Sequence, residues 1–78
     1  MRIPRYVVLP FGYRVSVFIT DNEKHLEQSD GSWDVDKRSI YIRKSLPAAR
    51  RRYILGHELL HAWVDWQHKY MDDKVMKN

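Results

Sequence analysis

The chain has no cysteine. No disulfide is available to staple the fold, and an oxidising compartment brings it no benefit. No apolar run approaches a membrane span, and the opening Met1-Arg2-Ile3-Pro4-Arg5 is too short and broken for a signal peptide. The expectation is a cytoplasmic protein with no membrane partner. Internal repeats, linkers and low-complexity tracts are also missing. Glycine and proline are scarce, three of each, so the few turns they mark stand out. The formal charge is only +4, which allows contact with anionic partners without requiring it. At 78 residues residues 1–78 read as one minimal domain, near the size at which a hydrophobic core alone suffices. A bound metal or an oligomer interface would add stability.

Tyr6-Val7-Val8-Leu9 reads as a short strand stopped by Pro10, with a turn at Phe11-Gly12. From Tyr13 to Thr20 the chain alternates, with Tyr13, Val15, Val17 and Ile19 on one face, which is the pattern of a half-buried strand. Asp21-Asn22-Glu23 is a turn, Lys24 to Gln28 a short strand of weak apolar content, and Ser29-Asp30-Gly31-Ser32 a second turn. Ser39-Ile40-Tyr41-Ile42-Arg43 is a further strand. Pro47 sits in the first turn of the last element, where a missing N–H does no harm. From Ala48 to about Tyr70 only Gly56 disfavours a helix. The fold class is α+β: a small antiparallel sheet of three to four strands followed by a long C-terminal helix.

That helix carries His57-Glu58-Leu59-Leu60-His61, an HExxH motif. Residues four apart on a helix lie about 40° apart around the axis and about 6 Å along it, so the two imidazoles can share one ion. Glu58 points about 100° away, placed to take a proton from a metal-activated water rather than to ligate. On the helical wheel Leu55, Leu59, Ala62, Trp63 and Trp66 fall opposite His57 and are expected to face the core. Arg51, Glu58, Asp65 and Lys69 form a polar stripe between the two faces. A strand passing close beside the first histidine would explain Gly56.

The stretch from His57 to Asp65 resembles the active-site helix of the gluzincin zinc peptidases, the thermolysin-like group. Upstream, a turn with Gly, Ile40-Tyr41-Ile42 in a strand and a Pro-started helix resemble the small ImmA/IrrE-type and minimal gluzincin domains. The resemblance spans about residues 30 to 66, with only HExxH specific. It implies a zinc metallopeptidase in which His57 and His61 bind Zn²⁺ and Glu58 is the catalytic base.

Gluzincins take a third ligand, a Glu, from a second helix, giving the His₂Glu set. No Glu follows Glu58 in this chain. Asp65 lies about 9 Å along the axis from the midpoint of the two histidines, too far to join them on a straight helix. It pairs more simply with Lys69, four residues on. His68 serves only if the helix ends near Val64, and Asp72 or Asp73 only if the chain folds back after a break near His68. His25, Asp34 and Asp36 are the upstream candidates.

Arg50 lies on the histidine side of the wheel, suited to a substrate carboxylate or phosphate, and the strand Ser39 to Arg43, with Tyr41, is the edge on which an extended peptide substrate would lie. The alternative function is a non-enzymatic basic module binding nucleic acid or a protein partner. It rests on Arg38, Arg43, Lys44 and the run Arg50-Arg51-Arg52, with HExxH then a structural or degenerate metal site.

Overall fold

The computed structural model describes residues 2–72. The fold is α+β, a four-stranded sheet covered on one face by a long C-terminal helix. Strand β1 (Tyr6–Leu9) runs into a single 3-10 turn at Pro10–Gly12 and returns as β2 (Tyr13–Thr20). Phe11 and Gly12 both have positive φ, 68° and 73°, so the reversal takes a left-handed step at each. The alternation is observed as far as Val17: Tyr13, Val15 and Val17 are buried and Arg14 and Phe18 exposed, but Ile19, expected on the buried face, is exposed near the end of the strand.

Two expectations fail between β2 and the next core strand. Residues 23 to 26 form a short helix, α1 (Glu23–Leu26), not a strand. Asn22 caps it by accepting from the Lys24 N–H, and Glu27 ends it in the left-handed region with its N–H on Glu23 O. The stretch read as a turn instead opens strand β3 (Gly31–Asp34), which pairs antiparallel with β4 (Ser39–Arg43). Asp34 Oδ1 accepts from the N–H groups of Asp36 and Lys37 and so holds the β3–β4 turn.

The sheet is mixed, not antiparallel. Its order is β1-β2-β4-β3, and β2 pairs with β4 in parallel, Val17 opposite Ile40 and Ile19 opposite Ile42. The physical reason is the extra pair of elements. After β2 the chain passes through α1, descends as β3 and turns back as β4, which therefore enters beside β2 in the same direction. Strand β4 is interior, so it cannot be the edge that receives a peptide; the edges are β1 and β3.

Helix α2 (Ala48–Gln67) lies on the face carrying Val15, Val17, Ile40 and Ile42. Burying each of these side chains contributes about 1.5–3 kcal/mol. Helical backbone continues without a break as a π turn over His68–Asp72. At that end Trp66 Nε1 donates to Pro10 O at 2.8 Å, and the Trp66 ring stacks on Phe11 and Trp63. Tyr70 meets Tyr13 edge-on. No helix among the described residues is long and apolar enough to cross a membrane.

Candidate functional site

Helix α2 presents Ile54, Glu58, Ala62 and Trp66 to the sheet, one residue every four. On the wheel this buried stripe is turned roughly 70° from the expected one, toward Glu58. Trp63, expected in the core, is 38% exposed. Arg51 and Asp65 belong to the same sector, so the stripe expected to be polar faces the sheet instead.

Gly31 permits this rotation. A Cβ there would overlap Ile54 Cγ2, lie 3.1 Å from Tyr41 O and touch Glu58 Cγ at 3.5 Å. The close approach of strand and helix is therefore at Gly31, on the strand. Gly56 does not provide it: nothing lies within 4 Å of where its Cβ would be. Asp65 fastens the same contact by accepting a hydrogen bond from Trp33 Nε1 on β3. The expected pairing with Lys69 is not the one made, since the Lys69 ammonium lies over the Tyr70 ring.

Glu58 is 7% exposed and has no salt bridge or hydrogen bond to the described residues. An ionisable group in that position contributes little to packing that an apolar one would not. His57 and His61 are exposed one turn apart, their ring centroids 5.1 Å from each other and nearly perpendicular. Because Ile54, Glu58 and Asp65 touch β3 while Trp66 and Tyr70 touch the β1–β2 end, the two histidines lie along the β3 flank.

On that flank β3 has a free edge. Arg43 N donates to Asp30 O at 2.8 Å. In an antiparallel ladder bonded pairs alternate, so Ser32 and Asp34 also bond inward, while the N–H and C=O of Gly31 and Trp33 point outward. Neither the glycine contact nor the Trp33–Asp65 link has a signal in the sequence, since they join residues more than twenty positions apart.

The remaining candidates are not brought to the histidines. His68 stays on the helix, about 10 Å past His61, and the backbone of Asp72 lies roughly 15 Å past it. Asp73 lies outside the described residues. His25 stacks flat on Tyr41 at 4.3 Å, on the sheet face away from α2, where Tyr41 also stacks on Phe18. Tyr41 therefore does not line this flank. Asp34 is committed to its turn. Arg50 is held by Asp30 at 3.5 Å and lies over the Tyr53 ring. The basic strip is partly neutralised: Arg43 pairs with Glu23 at 2.6 Å, and Arg38 lies over Tyr13.

Among the described residues no group of three or more His, Cys, Asp or Glu is placed to hold a metal ion. No protein-family model matches the chain, and neither does a curated protein or a solved structure. The resemblance to the gluzincins is thereby overturned. The His₂Glu set that defines such a centre is not assembled among the described residues, because the helix runs straight on past His61 and carries His68 and the backbone of Asp72 away. For a zinc ion the fit is that of a pair: two imidazoles can meet one ion at 2.0–2.1 Å, and the described residues offer no third protein ligand.

Proposed function

We propose that this protein hydrolyses peptide bonds in a zinc-dependent reaction, with His57 and His61 as the protein ligands and Glu58 as the proton acceptor. The observation that carries the reading is the position of Glu58. A carboxylate with no partner among the described residues lies on the helix–sheet contact, between the histidine pair and β3, one of the two edge strands of the sheet. Zinc held by His57 and His61 would supply an acidified water and a polarised carbonyl. Two protein ligands make the ion more easily lost than from a three-ligand site.

The chain's own groups do the rest. The outward N–H and C=O groups of Gly31 and Trp33 hold an extended peptide as an added strand. Glu58 takes the proton of the attacking water as its oxygen bonds to the carbonyl carbon. The carboxyl then delivers that proton to the amine nitrogen as the C–N bond breaks. The absence of cysteine fits a reducing, cytoplasmic setting.

The test is cleavage of an unstructured protein substrate by wild type, Glu58→Gln and His61→Ala, with zinc content measured alongside. Glu58→Gln is expected to retain zinc, to be at least as stable as wild type and to lose cleavage by a factor of roughly 100 or more. His61→Ala loses both metal and cleavage. Wild-type rates from Glu58→Gln would refute the assignment of the base. A wild-type chain that binds zinc and cleaves nothing would instead favour a non-catalytic metal-binding module.

A further inference from the structure

We propose that the cleft at the N-terminal end of α2 binds the phosphate group of a small phosphorylated molecule. The cleft is lined by Arg2, Ile3, Ile19, Ala48, Arg51 and Arg52 and has a volume of about 380 Å³. That lies within the range of small-molecule sites. It is separate from the histidine flank and does not depend on the hydrolytic reading: Arg51 and Arg52 sit one to two turns before His57, and Arg50, held by Asp30, is not in the lining.

Three observations converge on an anion. First, the lining holds three arginines and no carboxylate. None of the three takes part in an ion pair among the described residues. Second, these cations gather at the positive end of a 20-residue helix that has no side-chain cap and no acidic residue in its first turn. Like charges and the helix dipole both oppose that gathering. Third, Arg51 Nε is closed off from solvent and has no hydrogen-bond partner. Leaving a buried donor unmade carries its full desolvation cost.

An anion in the cleft answers the first two directly, and gives the Arg51 guanidinium, which lines the cleft, a counter-charge. Phosphate fits best, because guanidinium forks match its oxygens in pairs and the free N–H groups of a first helical turn complement its charge. Ile3, Ile19 and Ala48 form an apolar wall beside the arginines. That wall selects a phosphate carried on an organic body over the bare ion.

Isothermal titration of the full chain tests this, using inorganic phosphate, a nucleoside monophosphate and the same nucleoside without phosphate. The proteins are wild type, Arg2→Gln, Arg52→Gln and Arg38→Gln. Arg38 lies over the Tyr13 ring outside the cleft and controls for general charge; circular dichroism confirms that each variant is folded. The monophosphate is expected to bind wild type more tightly than inorganic phosphate, and the bare nucleoside not at all. Arg2→Gln and Arg52→Gln each weaken binding roughly tenfold or more, and Arg38→Gln changes it less than twofold. The proposal is overturned by any of four results: no binding of either phosphate at millimolar concentration, equal binding of the bare nucleoside, inorganic phosphate binding as tightly as the monophosphate, or an Arg38→Gln loss as large as that of Arg52→Gln.

Discussion

Glu58, Gly31 and Gly56 show how differently neighbouring residues of this chain are constrained. Glu58 occupies a core position with no hydrogen bond or ion pair to the described residues. Gly31 is fixed by contact. Gly31→Ala sets a methyl group against Ile54 and the Tyr41 carbonyl and is expected to cost about 1–3 kcal/mol. Gly56→Ala meets open space in a helix interior and is expected to stabilise by about 0.4–1 kcal/mol. Urea denaturation of the two variants reads both signs, and a neutral Gly31→Ala would mean that the strand does not press on the helix. A fourth residue, Glu23, bears on acid stability. Arg43 and the Gln28 N–H hold the Glu23 carboxyl below the ordinary glutamate value of 4.5. Its contribution is therefore present above pH 4.5 and is lost as the pH falls through the lowered folded value. Glu23→Gln is expected to flatten that part of the stability–pH curve, measured as melting temperature from pH 6 to pH 3.

At the scale of elements, β1, β2, β4 and the extent of α2 were legible because period-two alternation and Pro10, Gly12 and Pro47 mark them directly. Helix α1 was not, since it buries a single apolar residue, Leu26, and owes its existence to the Asn22 cap. Strand β3 was hidden because Asp30 and Gly31 look like turn residues, whereas Gly31 is there for close packing. The HExxH residues could be read from spacing, and the face that α2 buries only in part. Of the apolar side chains expected there, Ala62 and Trp66 are buried and Leu55 and Leu59 pack against the core, while Trp63 is 38% exposed and Ile54 and Glu58 join the contact. The observed face is set by the gap at Gly31 and the Trp33–Asp65 hydrogen bond, both long-range. That bond is expected to be a strong one because its acceptor is charged: Asp65→Ala should cost about 1.5–3 kcal/mol. It should also speed hydrogen exchange at β3 more than at β1, and equal protection of the two edges would show that Asp65 does not pin β3.

For the whole molecule, strand direction was the feature that alternation cannot carry. The mixed sheet places β1 and β3 at the edges and β4 inside, so Ser39–Arg43 is not an edge, and the proposed peptide-binding edge is Gly31–Asp34. The same arrangement sets the histidine pair, the buried carboxylate and that free edge on one flank. Zinc binding to wild type and His57→Ala, followed by native mass spectrometry during zinc titration, tests the central claim most directly. One ion per wild-type chain is expected, readily removed by a chelator, with a rise in melting temperature because the ion binds the folded state and with no such ion on His57→Ala. Equal zinc occupancy in the two proteins, or none in wild type, would contradict the account.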